Sequence, residues 1–523
     1  MQINRRRFIG AATGGGAAAA LAAWMPAWAQ PFSPGFKAQL PTVSGDDITL
    51  RIARQTMRVE GKVARAIGIN GTIPGPLIRL REGQRARLTV VNELDEDSSI
   101  HWHGLILPFQ MDGVPGVSFP GIKPRSTFVY EFPVVQAGTY WYHSHSGLQE
   151  QLGHYGPIVI DPKDADPIGY DREHVIVLSD HSRLGGLLAG KDQSLKERVE
   201  WGAMRMDPTD VADVNGSTYT FLVNGHGPSD NWTALFAPGE RVRLRIINAS
   251  AMSIFNVRVP GLRMTIVQAD GLNVVPLPID EFQIGVAETY DVIVNPVNDR
   301  AYSFIAAVPP LRKRPLATMK DMGMGAMGGS GDASCPAEHA AMGHCTPAAD
   351  AGADDAAMGH GSGGMQHSMR DFDVAPLVKR DPSVQTISPM PVDRMGEPGQ
   401  GLEDVGHKVM TYRDLVALDR NPDVRAPGRS LDIHLTGNME RFMWSFDGVK
   451  MSDHHEPIPF IEGERVRVNL INDSMMVHPI HLHGHFFELV TGKGDRAPRK
   501  HTVIVQPGGI ATFDFTADAL GDW

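Results

Sequence analysis

The sequence predicts an all-β protein built from three antiparallel β-sandwich domains. The main evidence is a segment that occurs three times, at residues 83–92, 239–248 and 463–472, each starting with Gly and ending nine residues later with Asn. Within these segments apolar and polar residues alternate, which is the period of a half-buried strand. Turn-forming residues flank them and few stretches show helical periodicity, as in β-sandwiches. Three copies therefore predict three domains.

The distances between the copies place an insert between the second and third domains. Gly83 and Gly239 are 156 residues apart, whereas Gly239 and Gly463 are 224 residues apart. A low-complexity stretch at 319–369 roughly accounts for the difference. We predict a signal peptide at 1–29, domain one at 30–165, domain two at 166–310, a Met/His-rich insert at 311–375 and a C-terminally incomplete domain three at 376–523.

The N-terminal residues predict export. Arg5 and Arg6 lead into an Ala/Gly-rich apolar run that ends at "AWAQ", where Ala27 and Ala29 are the small residues that a signal peptidase reads. The paired arginines resemble a twin-arginine signal, and an ordinary Sec signal is the alternative. No other apolar run is long enough to span a bilayer. We therefore expect a periplasmic protein without a transmembrane segment. The formal net charge of −11 also argues against nucleic acid as a partner.

Paired histidines occupy matching positions in domains one and three. In the first copy of the repeat, His101 and His103 lie nine and eleven residues after the final Asn. In the third copy, His481 and His483 lie at the same offsets, and the middle copy has valine at both. Residues i and i+2 of a strand share a face, so each pair should point the same way. We therefore predict that domains one and three face each other across a metal site, with domain two as a spacer.

Domain one carries a second pair, His143 and His145, which begins five residues after Gly138. In domain three the residue that corresponds to this glycine is Gly521, and the matching histidine position falls three residues beyond Trp523. A fourth pair is therefore expected just past the last residue, and we interpret the chain as incomplete. Imidazole suits Zn, Cu, Fe and Ni. Six paired histidines exceed the needs of one four-ligand zinc ion and favour a cluster of several ions.

The motifs "HWHG", "WYHSHSG" and "HPIHLHGH" resemble the copper-binding motifs of the multicopper oxidases. The stretch "MDGVPGVSF", the twin-arginine start and the Met-rich insert resemble the copper-resistance type of that family. The resemblance implies three cupredoxin-like domains, which are Greek-key β-sandwiches, and copper in type 1, type 2 and type 3 centres, with four ions in a complete chain. It implies type 2 copper on His101 and His481, a type 3 pair on His103, His143, His145 and His483, and type 1 copper on His478.

Two further residues near these motifs have distinct expected roles. By resemblance, Asp112 delivers protons to oxygen at the trinuclear copper cluster; the alternative is a turn residue, because Asp-Gly is a common turn dipeptide. His485 lies outside the family pattern, and we expect it to be a supporting or surface residue rather than a ligand.

The sequence departs from the family at its fourth motif, His-Cys-His, which is absent. A type 1 site needs a cysteine thiolate, and the chain's two cysteines, Cys335 and Cys345, both lie in the insert. We therefore expect an incomplete copper site. The Gly/Ala-rich insert is expected to be disordered. Its eight Met and four His favour capture of Cu(I) over an inert linker. Cys335 and Cys345 could pair as a disulfide or bind copper.

Three functions are compatible with these features. The leading one is a copper oxidase that takes electrons from Cu(I) or a phenol and reduces O2 to water. The second is a non-catalytic protein that sequesters periplasmic copper. The third, a two-domain nitrite reductase, is disfavoured by the three repeats and by the two pairs in domain one.

Overall fold

The computed structural model describes residues 40–182, 219–309, 370–438, 443–450, 453 and 457–523. In these ranges the regular structure consists of β-strands and short 3-10 turns, without any α-helix. The predicted all-β fold is therefore confirmed. Residues 1–29, both cysteines and nearly all of the insert lie outside the described residues. No helix in the described part of the chain has the length and apolar character needed to cross a bilayer.

The first nine strands form two sheets around one core. Their bounds are β1 Thr42–Ser44, β2 Asp47–Val59, β3 Lys62–Ile69, β4 Leu77–Arg81, β5 Arg85–Asn92, β6 His101–His103, β7 Thr127–Pro133, β8 Gly138–His143 and β9 Tyr155–Asp161. The sheet orders are β3-β2-β5-β7 and β1-β4-β9-β8-β6. Alternate residues of β5, such as Leu88 and Val90, are fully buried between the sheets. The apolar residues of the predicted alternation thus form the face of β5 that is buried in the sandwich.

The second group of strands also forms two sheets. Their bounds are β10 Arg172–Ser182, β11 Tyr219–Val223, β12 Val242–Asn248, β13 Phe255–Arg258, β14 Met264–Ala269, β15 Leu272–Ile279, β16 Glu281–Ile284, β17 Thr289–Val294 and β18 Ile305–Ala307. The sheet orders are β11-β10-β12-β17-β14-β15 and β16-β13-β18. At the offsets where the other repeats have histidine, Val257 and Val259 are buried in this apolar core.

The third group completes the described fold. Its strands are β19 Val392–Asp393, β20 Arg429–Asn438, β21 Met443–Phe446, β22 Arg465–Asn472, β23 His478–His481, β24 Phe487–Leu489, β25 Arg499–Lys500, β26 Thr502–Val505 and β27 Gly509–Thr516. One sheet has the order β21-β20-β22-β27-β24-β25, with β19 beside β27, and β23 pairs with β26. Buried side chains of these strands, among them Val468 and Phe513, form a separate apolar core.

The three repeats end in the same local structure. Asn92, Asn248 and Asn472 are all fully buried at the ends of β5, β12 and β22. The side-chain amide donates to two main-chain carbonyls from Asn248 and Asn472, at 2.6 and 2.9 Å to Met476 and Val505 in the latter case, and to three from Asn92. A buried amide needs such partners. The repeated Asn therefore fixes the loop that leads into β6, β13 or β23.

Candidate metal centre

Two adjacent strands of domain one place its histidines. Strands β6 and β8 are antiparallel, and their register sets His101 opposite His143 and His103 opposite Trp141. Directly opposite side chains in such a ladder lie on one face at close distance. The pairing of β6 with β8 therefore brings together two histidine motifs that are about forty residues apart in the chain.

A shared strand face was predicted for His101 with His103 and for His481 with His483, and only the first pair lies entirely within one strand. Strand β8 ends at His143 and strand β23 ends at His481, so His145 and His483 lie in the segments that follow. Gly484, with φ of +65°, turns the chain immediately after His483. These two imidazoles are thus oriented by turns rather than by the alternation of a strand.

The predicted pairs from domains one and three converge. The ring centroids of His103 and His481 are 3.7 Å apart, and those of His101 and His483 are 4.2 Å apart. His145 lies 5.2 Å from His483 on the same measure. Two sets of three histidines could each hold a metal ion, because one ring nitrogen of each residue lies within 4.8 Å of the other two. The first set is His101, His143 and His145, and the second is His101, His481 and His483.

In three of these rings one nitrogen lies beside a polar partner and the other has no hydrogen-bond partner. His101 Nδ1 lies 2.8 Å from the main-chain oxygen of Asp112, and His481 Nδ1 lies 2.7 Å from that of His501. His143 Nδ1 lies 3.2 Å from the carboxylate of Glu150. The opposite nitrogens of these rings, His101 Nε2, His143 Nε2 and His481 Nε2, are buried without a hydrogen-bond partner. An N–H donated on one side leaves a lone pair free for a metal on the other, as in typical metal-bound histidines.

Asp112 connects the two domains at this centre. Its side chain is buried, and Oδ2 accepts a hydrogen bond from His483 Nδ1 at 2.8 Å, while Oδ1 lies 3.3 Å from His101 Nδ1. Burial alone would raise the pKa of the Asp112 carboxyl, but the adjacent His101 and His483 lower it well below its usual range. The carboxylate is therefore an anion that holds the His483 imidazole, while the main-chain oxygen of Asp112 holds that of His101.

Burial favours the neutral form of His103, His145, His481 and His483, which is the form that binds a metal. Burial, reinforced by neighbouring imidazoles, lowers the pKa of His103 and His481 well below the usual value. It also lowers the pKa of His145. For His483 the effect of burial again dominates, although the hydrogen bond to Asp112 opposes it.

His501 is a histidine of this region that the sequence analysis did not select. It is fully buried, and its ring lies 5.0 Å from that of His103 and 5.2 Å from that of His481. The three residues form a third group with nitrogen atoms within 4.8 Å of one another. His501 belongs to no His-x-His pair and matches no quoted motif. One feature of the sequence could have identified His501. It immediately precedes the apolar run "TVIV", which forms β26, the strand that pairs with β23.

His478 and His485 occupy separate environments. His478 begins β23, its Nε2 lies 2.6 Å from Ser474 Oγ, and its ring is 5.3 Å from the half-exposed indole of Trp444. Burial lowers the pKa of His478 to about 4. His485 is buried beside Phe515 and Trp523, and its Nδ1 donates to the carbonyl of His483. Among the described residues, neither belongs to a three-residue group that could hold an ion.

The donor set fits copper. The ligand candidates are imidazoles, four of the six paired histidines (His101, His103, His143 and His481) have a buried ring nitrogen without a hydrogen-bond partner, and imidazole is a good donor for copper ions. Several overlapping groups that share His101 and His481 could hold neighbouring ions rather than one. Site and fold together indicate a metal centre, with donors that suit copper, between β-sandwich domains.

The comparisons with known proteins agree. Family models described as multicopper oxidase match residues 51–165, 174–321 and 425–523. The chain therefore belongs to the multicopper oxidase family and is an oxidoreductase.

Within this family the chain is similar to proteins of the copper-resistance type. It is 44% identical to a copper resistance protein A homolog of Pseudomonas syringae pv. tomato, over 99% of this chain and 95% of that protein. It is 43% identical to copper resistance protein A of Escherichia coli, over 100% of this chain and 96% of that protein. A multi-copper oxidase from Pseudomonas thermotolerans has the same fold, with a TM-score of 0.58, 22% identity and coverage of 92% of this chain and 94% of that one.

Proposed function

We propose that this chain is a copper-dependent oxidase of periplasmic copper resistance. When a His-Cys-His segment completes the type 1 site near His478, the chain would oxidise Cu(I) or phenolic substrates there and reduce O2 to water at a trinuclear copper cluster; the 523 residues alone lack part of this site. The observation that supports this most is the convergence of six paired histidines from two domains, four of which have a buried ring nitrogen without a hydrogen-bond partner. A protein that only captured copper ions singly would not need ligand groups that share residues.

The residues of the chain have separable roles in this proposal. Bound copper supplies the capacity to accept and pass on single electrons. His478 and His481 lie on the same short strand, three residues apart, so roughly 10 Å of strand joins the electron-entry side to the cluster. The half-exposed Trp444 beside His478 marks the surface where an electron donor would approach. Asp112 would hold His101 and His483 in place and supply protons that the reduction of O2 consumes.

Export is part of the proposal and rests on the N-terminal sequence. The twin-arginine route carries folded proteins, which suits a protein that acquires its copper before crossing the membrane. The relevant residues, 1–29, lie outside the described part of the chain. Replacing Arg5 and Arg6 by lysine should leave the protein in the cytoplasm, as measured by cell fractionation. A Sec-exported protein would still reach the periplasm.

The activity is tested by loading the chain with copper and measuring blue absorption and O2 uptake with Cu(I) or a phenol. The 523-residue chain should bind copper but show neither signal, because its two cysteines, Cys335 and Cys345, are both in the insert. Adding a His-Cys-His segment that starts three residues after Trp523 should produce both signals together. A blue, O2-consuming protein from the 523 residues alone would contradict the type 1 assignment.

The second candidate function is copper sequestration without turnover. The observation that favours it is the Met/His-rich insert, whose thioethers and imidazoles suit copper. The extended, fully copper-loaded chain separates the two functions. If it binds copper tightly and consumes no O2 with either substrate, sequestration is the function.

A further inference from the structure

The third group of imidazoles at the metal centre carries an inference beyond the ligands that the family resemblance implies. We propose that His501 is a copper ligand and that it forms a three-imidazole site with His103 and His481. The proposal rests on the copper function above, and it adds a residue that lies in none of the His-x-His motifs. One ring nitrogen from each of the three residues lies within 4.8 Å of the other two.

Each of the three rings has one nitrogen that could bind the same ion. His103 Nδ1, His481 Nε2 and His501 Nε2 are buried and have no hydrogen-bond partner. Leaving a buried polar group without a hydrogen-bond partner is unfavourable, so a purely structural cluster would contain three unfavourable nitrogens at one place. A metal ion bound by all three removes the penalty at once. Three buried nitrogens without hydrogen-bond partners at one place distinguish this group from an ordinary buried histidine.

The other side of each ring is held by hydrogen bonds. Thr502 Oγ1 lies 3.1 Å from His501 Nδ1 and 3.2 Å from His103 Nε2. A hydroxyl oxygen has two acceptor lone pairs, so Thr502 can accept an N–H from both rings. His481 Nδ1 donates to the main-chain oxygen of His501 at 2.7 Å. With these three N–H groups engaged, the lone pairs of the opposite nitrogens are available to one ion.

Backbone contacts fix where His501 lies. The carboxylate of Asp270, which belongs to domain two, accepts hydrogen bonds from the main-chain N–H of His501 at 3.2 Å and of Thr502 at 3.1 Å. On the domain-one side, Gly104 has φ of +82°, and a Cβ at this position would overlap the His501 ring at Nε2. The missing side chain of Gly104 therefore leaves the space that the imidazole occupies.

Asp270 is itself held by a buried ion pair. Lys500 Nζ lies 3.0 Å from Asp270 and 3.1 Å from Glu288, and all three side chains are buried. Glu288 also accepts a hydrogen bond from the Tyr412 hydroxyl at 2.6 Å. This network makes the segment that contains His501 a rigid support. Rigid support of this kind is what a metal site requires of its ligands.

The test is copper titration of His501→Gln in the full chain. Glutamine has a similar volume but no imidazole. We therefore expect His501→Gln to lose one copper ion per chain or to bind one ion at least about tenfold more weakly. Even the loss of a residue that only supports a ligand weakens metal binding by about this factor. The matched control is His485→Gln, a buried histidine nearby that lies in none of the three groups. It should keep the wild-type stoichiometry.

The visible bands of bound cobalt(II) give a readout that is independent of activity. If His501 is a ligand, His501→Gln should alter these bands and His485→Gln should not. Circular dichroism of the copper-free variants should match the wild type, which separates ligand loss from misfolding. Wild-type stoichiometry, affinity and cobalt spectrum in a folded His501→Gln chain would overturn the proposal. Failure of the wild-type chain to bind copper at all would instead overturn the copper function.

A second variant tests the hydroxyl support without touching the imidazole. Thr502→Val is close in shape and removes the shared acceptor, so one copper ion should again bind about tenfold more weakly. Thr512→Val is its control, because the Thr512 hydroxyl bonds Asn469 on β22. Equal copper binding by the two threonine variants would contradict the proposed arrangement of hydrogen bonds.

Discussion

At the scale of single residues, Asp112 links domains one and three at the centre. It belongs to domain one, yet its carboxylate holds His483 of domain three at 2.8 Å and approaches His101 of its own domain at 3.3 Å. A carboxylate behind a metal-bound imidazole fixes the ring and its tautomer. Asp112 can therefore support copper binding whether or not it also transfers protons.

Asp112→Asn should weaken copper binding by about 10–100-fold, because the amide is a poorer acceptor for the His483 N–H. Equilibrium dialysis of the full chain measures the effect. The control is Asp518→Asn, because the Asp518 side chain is 74% exposed and lies 3.7 Å from His485, outside the proposed ligand set. Unchanged affinity in Asp112→Asn would show that the carboxylate does not support the ligands.

The neutral histidines predict how the copper-free chain responds to acid. Their folded-state pKa values are lowered, as for His103 and His481. The unfolded state therefore binds more protons below the usual pKa, and stability falls as the pH decreases. From about pH 7.5 to about pH 5.5 the loss should be on the order of 1 kcal/mol per buried histidine.

Urea unfolding at the two pH values measures this loss. Replacing His103 by Asn should reduce the pH dependence. A urea midpoint that does not change over this range would show that the imidazoles are not held neutral.

At the scale of structural elements, the repeated unit is a strand that ends in a buried asparagine. Asn472→Ala leaves two main-chain carbonyls without their donor, and we expect a loss of about 1–3 kcal/mol in the stability of domain three. Asn469→Ala is the matched control on the same strand, because its amide bonds Asp432 at the surface. Thermal unfolding compares the two variants. Equal unfolding temperatures would mean that the buried amide contributes nothing.

The insert is the element with a separable function. Deletion of residues 319–369 should leave the fold and copper binding at the histidine cluster unchanged, because the strands before and after the insert have separate apolar cores. The same deletion should weaken capture of Cu(I), because it removes eight Met and four His. Competition with a colorimetric Cu(I) chelator measures capture. Equal loss of cluster binding and Cu(I) capture would show that the segment is structural.

At the scale of the whole molecule, periodicity predicted the fold because the alternation and the Gly-to-Asn spacing are local properties of each strand. Matched offsets likewise selected the histidines that the structure brings together. His501 was missed because its place depends on contacts from three parts of the chain, namely Gly104, Asp270 and the β26 strand. The positions of His145 and His483 beyond their strands depend on turns, which strand periodicity does not describe.

Domain two is therefore more than a spacer. Among the described residues it supplies no histidine to the three imidazole groups, but its Asp270 and Glu288 hold the segment that carries His501. The middle sandwich thus contacts both outer domains, through this segment and through the hydrogen bond from Thr139 to Asp291 at 3.0 Å. The relative placement of the outer domains, and with it the metal centre, depends on all three.

The central claim is that histidines from domains one and three form one copper centre. Crystals of the copper-loaded chain, measured at the copper absorption edge, test it most directly because anomalous scattering locates each ion. The account predicts copper within bonding distance of the unpaired ring nitrogens of His101, His103 and His481, in the region where these imidazoles converge. Copper at other sites only, with these imidazoles free of metal, would contradict it.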